Sequence, residues 1–234
     1  MATLAERLAE VHRRIEVACR RSGRGADEVA LVAVTKTVPL ETVQAAVEAG
    51  VGLLGENKVQ EAAAKIEQIK GNVAWHMLGH LQTNKVKKAV AIFDMIQSVD
   101  SEALAVEIDR RSAEAGRVMD VLVEVNTSGE VTKFGASPED CVDLVSKMSH
   151  LRHISVRGLM TIGAFTPREE VVRTGFRLLR DLKEAIQKVN IANVKMDFLS
   201  MGMTSDFEVA IEEGSNMVRI GTAIFGERRA SPAS

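Results

Sequence analysis

Short runs of apolar and β-branched residues punctuate this chain, and each is followed by a longer stretch in which apolar positions return every three or four residues. The short runs fall at 29–35, 51–55, 73–78, 94–99, 119–126, 154–160, 195–199 and 216–220, and their length and composition predict strands. The longer stretches, at about 40–49, 57–70, 82–90, 101–115, 138–149, 168–189 and 205–213, predict helices, with a short helical turn after Gly221. Ahead of the first strand, residues 3–22 place Leu4, Leu8, Val11, Ile15 and Ala18 or Cys19 on one helical face, and Ser22-Gly23-Arg24-Gly25 ends that helix.

Strands that alternate with helices imply βαβ units and a parallel sheet. Eight such units in 234 residues predict a closed (β/α)8 TIM-type barrel with an extra N-terminal helix, an α/β fold. An open doubly wound sheet is the alternative, because closure leaves no mark in a sequence. The whole chain, 1–234, reads as a single domain, with 228–234 expected to be disordered.

Composition narrows the function classes. Charges nearly balance, at −2 overall, so no field favours nucleic acid or an acidic membrane as partner. Aromatics are only 3% and tyrosine is absent, which argues against base-stacking platforms. Cys19 and Cys141 form no CxxC pair and read as small buried hydrophobes in a reducing compartment. The first residues carry no apolar signal core, and no stretch approaches 18 uncharged apolar residues. A cytoplasmic monomer is expected. Asn126-Thr127-Ser128 matches a glycosylation acceptor in form only.

In barrels of this kind the site lies at the C-terminal ends of the strands, with phosphate commonly bound after strands seven and eight. Lys36 follows the first strand. It reads either as a cation snorkelling from the mouth or as an amine nucleophile toward an aldehyde. After the seventh strand, Ser200-Met201-Gly202-Met203-Thr204-Ser205-Asp206 brings a glycine turn, hydroxyls and a helix start, with Ser205 and Glu208 at capping-box spacing. After the eighth comes Arg219-Ile220-Gly221-Thr222. Two such turns together favour an anion site over a pair of ordinary caps.

Other strand ends carry Glu56-Asn57, Gly79-His80, Ser98 and Asn126, each on its own more often a loop or capping residue than a ligand. The 126–137 segment is the longest loop expected at the mouth, and a solvated position is the default for its Lys133. There is no GxGxxG after a strand, no GxxxxGK[ST], no HExxH and no GxSxG. The five histidines show no metal spacing, and no metal site is expected.

Taken in order, Ala33-Val34-Thr35-Lys36, Gly55-Glu56-Asn57, His76-Met77-Leu78-Gly79-His80-Leu81-Gln82, Gly158-Leu159-Met160, Ser200 to Asp206 and Arg219-Ile220-Gly221-Thr222 closely resemble the pyridoxal phosphate homeostasis proteins. The barrel of that family is similar to the N-terminal domain of alanine racemase. The likeness runs from about residue 29 to residue 227. It implies a fold-type III pyridoxal phosphate barrel without the second domain. It implies Lys36 as the Schiff-base lysine holding pyridoxal 5'-phosphate as an internal aldimine. Ser200, Gly221 and Thr222, with amides near Met203 and Thr204, are implied as phosphate ligands. Arg219 is implied to face the pyridine nitrogen, and Asn57, His80 and Ser98 to neighbour the cofactor.

The resemblance implies a carrier that serves vitamin B6 and amino-acid balance, with pyridoxal-phosphate-dependent apo-enzymes as recipients. Arginine can only donate, so a ring facing Arg219 keeps an unprotonated nitrogen and is a weak electron sink. A racemase also needs a second acid/base group. In the racemase this family resembles, that group is a tyrosine from a second domain, and here tyrosine is absent and no residues are left to build one. The expectation is therefore a binding protein with little or no catalysis. The alternatives are a weak pyridoxal-phosphate-dependent amino-acid racemase, and a cofactor-free barrel acting on a phosphorylated metabolite.

Overall fold

A computed structural model describes residues 2–130 and 132–227, so the expectation for 228–234 lies outside the described residues. Helix α1 (Leu4–Arg21) leads into strand β1 (Ala30–Val34). The alternation then runs α2 (Leu40–Glu48), β2 (Leu53–Glu56), α3 (Val59–Ile66), β3 (Ala74–Met77), α4 (Val86–Ile92), β4 (Met95–Val99), α5 (Glu102–Glu114) and β5 (Met119–Glu124). It continues with α6 (Cys141–Met148), β6 (Ile154–Met160), α7 (Glu169–Val189), β7 (Val194–Ser200), α8 (Phe207–Glu212), β8 (Met217–Ile220) and α9 (Thr222–Phe225). The strands pair in chain order, all parallel, and β1 pairs with β8 from Ala30↔Met217 to Ala33↔Ile220. The barrel is closed, which excludes the open sheet.

Side chains alternate across a strand, so each strand has an inner and an outer set. Val32, Val34, Leu78, Met95, Leu122, Met160 and Met217 form one apolar cluster inside the barrel. Their neighbours Ala33, Leu54, Met77, Ile96, Val121, Val123, Leu159, Leu199 and Val218 belong to a larger cluster between strands and helices. Gly55 is inward as well: a Cβ there would lie 2.4 Å from Leu78 Cδ1 and 2.9 Å from Val32 Cγ1. Between β6 and β7 the register shifts at Gly158, whose φ of +153° and 1.9 Å from a built Cβ to Phe198 O demand glycine.

The extra helix has a structural task. Thr3 and Glu6 cap it reciprocally, the Thr3 amide donating to Glu6 Oε2 at 2.7 Å and the Glu6 amide to Thr3 Oγ1 at 3.2 Å. It packs against α8 and α9, where Arg14 Nε reaches Glu208 Oε1 at 2.6 Å and Arg7 Nε reaches Ile224 O at 2.7 Å. Because α9 has only four residues, α1 covers the flank that a full eighth helix would cover. Both cysteines are free and buried, as their helical positions predict. The helix expected over 57–70 is shorter at both ends, Val59–Ile66, and Gly79 packs its backbone so closely on Asn57 that a Cβ there would meet Asn57 O.

Candidate functional site

Toward the C-terminal ends of the strands the barrel interior turns polar. Two residues beyond Met217 stands Arg219, 4% exposed. Its Nη1 donates to Ser200 Oγ at 2.7 Å and its Nη2 to Thr161 O at 2.7 Å. Ser200 Oγ donates onward to Gln97 Oε1 at 2.7 Å, and Gln97 Nε2 lies 2.9 Å from His76 Nδ1. The four side chains form one directional chain across the barrel, each bond polarising the next. Burial holds His76 down to about 4, so it is neutral and accepts from Gln97. Burial lowers Arg219 to about 10, with Glu124 and Asp206 opposing, and it stays charged at neutral pH.

The turn after β7 is built around Gly202, whose φ is +96° and whose built Cβ would lie 2.6 Å from Ala210 Cβ and 2.9 Å from Phe207 Cα. Arg219 N donates to Gly202 O at 3.0 Å, and Ala223 N to Thr204 Oγ1 at 3.3 Å, so the turns after β7 and β8 are bonded to each other. The capping box expected of Ser205 and Glu208 does not form. Asp206 is the N-cap residue of α8, its Oδ1 accepts from Met203 N at 2.6 Å, and Glu208 is drawn away to Arg14. Burial raises the Asp206 carboxyl above its ordinary value, while the Met203 bond and Arg219 oppose the rise. Beside Asp206 a cleft of about 430 Å³ opens between the loop after β6 and α8, lined in part by Phe165, Pro167, Val172 and Val209.

Lys36 follows β1 two residues after the inward Val34 and is half-buried. Its strand end is pinned from outside the barrel. Lys65 on α3 donates to Thr35 O at 2.6 Å and to Glu56 Oε1 at 2.6 Å, and Thr35 Oγ1 also donates to Glu56 Oε1, at 2.7 Å. Glu56 is fully buried. Thr37, directly after the lysine, has a φ of +61°, uncommon for a β-branched residue.

On the other side of the mouth, Asn57 is half-buried after β2. Ser98 is buried and spends its hydroxyl on Gly79 O at 2.7 Å, so it braces the turn that carries His80. His80 stacks on Phe134, ring centroids 3.9 Å apart, with Nδ1 3.4 Å from Asp100 Oδ2. Phe134 belongs to the long 126–137 loop, which Asn126 organises through bonds to Glu130 O and Lys133 O. Lys133 departs from the solvated position expected. It is 23% exposed, paired with Glu130 at 2.8 Å and bonded to Gly163 O at 3.2 Å.

Sequence reasoning passed over Gln97, Thr161, Lys65 and Glu124. Glu124 ends β5, is 3% exposed and leaves Oε2 without a hydrogen-bond partner. Burial pushes it up to about 7, with Asp100 adding to the rise and Arg219 opposing it. The available signal was a polar residue at an inward position of an otherwise apolar strand run. Among the described residues no cluster of three or more His, Cys, Asp or Glu is placed to hold a metal ion, and no helix is long and apolar enough to cross a membrane.

The family described as alanine racemase, N-terminal domain, matches residues 7–229. A pyridoxal phosphate homeostasis protein of Aquifex aeolicus is 45% identical over 225 residues, covering 96% of this chain and 98% of its own. This chain belongs to the pyridoxal phosphate homeostasis protein family. The Haemophilus influenzae member is 38% identical and covers 94% of each chain. Among solved structures, PipY of Synechococcus elongatus with pyridoxal phosphate bound has a TM-score of 0.84 at 35% identity, covering 96% of this chain and all of its own.

Of the positions this family resemblance singles out, Ser200, Met203, Thr204 and Arg219, with Gly221 and Thr222, meet in the joined turns after β7 and β8. Lys36 stands on the adjoining strand end, since β1 and β8 are neighbours. Asn57, His80 and Ser98 belong to the β2–β4 side, where Ser98 acts beneath the surface rather than at it.

Proposed function

We propose that this chain binds pyridoxal 5'-phosphate through Lys36 and serves intracellular cofactor homeostasis and amino-acid balance, with little or no catalysis of its own. The observation that carries this reading is the inward register of one closed barrel. It sets Lys36 at the end of β1 and buried Arg219 on neighbouring β8, beside the turn after β7 whose Met203 amide holds the Asp206 carboxyl. Full-length relatives named for this cofactor's homeostasis, and a neighbour that carries it, support the same reading.

The residues fit the group. Met203 N already holds an acidic oxygen at 2.6 Å, so this amide is of the kind that takes an anion. Thr204 and the Gly221-Thr222 turn add donors beside it. Ser200 joins them by turning its proton from Gln97 toward the ligand. The bound group supplies an aldehyde, to which a lysine amine adds reversibly with loss of water. Arg219 presents only donors, so it stabilises an unprotonated ring nitrogen rather than a protonated one. With no tyrosine in the chain, the second proton-transfer group of the racemase this family resembles is missing.

The test is borohydride reduction after incubation with pyridoxal 5'-phosphate, followed by peptide mass mapping. The adduct is expected on Lys36 and lost in Lys36→Ala, whose barrel stays folded because the lysine lies beyond the packed core. Pyridoxal should bind orders of magnitude more weakly, since charge-assisted bonds to the phosphate contribute roughly 1.5–3 kcal/mol each. An adduct retained by Lys36→Ala, or equal affinity for the two compounds, overturns the assignment. Exchange of the α-proton of alanine or serine in deuterated water at about one per second or faster would make the protein an enzyme.

A further inference from the structure

Glu124 is the acid the reading above does not use. It follows inward-facing Leu122 by two residues, so its side chain enters the barrel at the C-terminal end. Met160, its register partner on β6, and Ser200 on β7 beyond it carry no charge. Arg219, the buried cation across the barrel, directs Nη1 to Ser200 and Nη2 to Thr161. Glu124 Oε2 is thus left buried, near a cation and without a hydrogen-bond partner. The other orphaned carboxylate oxygen, Glu56 Oε2, lies outside the barrel wall on a residue already paired with Lys65, so it does not address the site.

The groups acting on Glu124 come from two elements. Asp100, following β4, disfavours its charge, and Arg219 on β8 favours it, with burial the largest influence. His76 on β3 is neutral, and Asp206 after β7 acts on Arg219. A phosphorylated ligand adds negative charge to this mouth, which disfavours a second anion beside it and favours the protonated acid.

We propose that Glu124 is a ligand-facing acid of this site: its unpartnered oxygen carries a proton and donates to an acceptor atom on the edge of the bound pyridine ring, so binding takes up a proton. This rests on the cofactor reading and deepens it, by assigning a ring contact that titrates. With the ring nitrogen assigned to Arg219, the phenolate oxygen is the acceptor of the required kind. Above neutral pH the free protein holds Glu124 ionised, and each binding event must then draw one proton from solution.

The experiment is calorimetric titration of pyridoxal 5'-phosphate into the apo chain at pH 8, in two buffers of different ionisation enthalpy, comparing wild type with Glu124→Gln. Glutamine keeps the shape and a donor but cannot titrate. Wild type is expected to take up about one proton more than the variant, and between pH 8 and 9 its affinity should fall about tenfold more. The ligand's own ionisations are common to both proteins and cancel. Equal proton uptake and equal pH slopes overturn the proposal. If Glu124→Gln does not fold, Glu124→Met carries the same comparison, with the added expectation of weaker binding at pH 6, and unchanged binding and slope there overturn it equally. Borohydride mapping on the same samples separates the two levels. No Lys36 adduct in wild type defeats the cofactor reading, whereas an adduct with equal proton uptake defeats only the role of Glu124.

Discussion

The barrel interior holds two buried titratable groups whose effects on stability run in opposite directions. His76 is lowered from 6.5 to about 4, and Glu124 is raised from 4.5 to about 7, each a displacement of about 2.5 pH units. Below 6.5 the unfolded chain protonates its histidine while the folded one does not, so stability falls as pH drops from 6.5 toward 4. Above 4.5 the unfolded chain ionises its glutamate while the folded one keeps the proton, so stability falls as pH rises from 4.5 toward 7. Each slope is about 1.4 kcal/mol per pH unit, and between 4.5 and 6.5 they cancel. Glu124→Gln removes one limb. Relative to wild type, the variant should gain about 3 kcal/mol between pH 4.5 and pH 7.5, which is roughly 6–12 °C in Tm for a chain of this size. Urea midpoints at fixed ionic strength across that range measure it. A difference between variant and wild type that does not change with pH refutes the buried, proton-carrying Glu124.

Two further outcomes test the frame around the site. Lys65→Met strands the buried Glu56 carboxylate and removes the bond to Thr35 O, so it should cost about 3–5 kcal/mol by urea denaturation, with Lys65→Met/Glu56→Gln recovering most of the loss. Gly158→Ala drives a Cβ onto Phe198 O at a positive φ and should cost more than about 3 kcal/mol in thermal unfolding. Gly52→Ala, with open space at its Cβ, should stay within about 0.5 kcal/mol.

The barrel was legible because each strand is a β-branched run set between helical periodicities, and β1 through β8 all fall where those runs predict them. What the pattern could not supply were contacts between distant residues. Glu208 sits three residues after Ser205, which on local grounds makes a capping box, but Arg14 lies 2.6 Å away from a helix 194 positions earlier in the chain. Asp206 accepts from the Met203 amide, and α8 starts at Phe207 rather than at 205. The helix after β2 likewise runs only from Val59 to Ile66, short of its expected bounds at both ends. Local spacing proposes a cap. Tertiary charge decides it.

The same division runs through the site. Its cations stand out in a sequence: Lys36 and Arg219 are charged residues at the C-terminal ends of apolar strand runs, the barrel end where sites lie. Its acids do not, because a residue letter reports chemical type and not protonation. Glu124 reads as one more charged residue until register shows it inward, its exposure shows it buried, and Arg219 is seen bonded elsewhere. Asp206 reads as part of a capping turn until its carboxyl is found on the Met203 amide. In both cases the charge state follows from what surrounds the side chain, since burial disfavours the anion and the nearby guanidinium favours it. The barrel mouth thus sets one buried guanidinium, Arg219, near two acids, Glu124 and Asp206, whose charge it favours and burial disfavours.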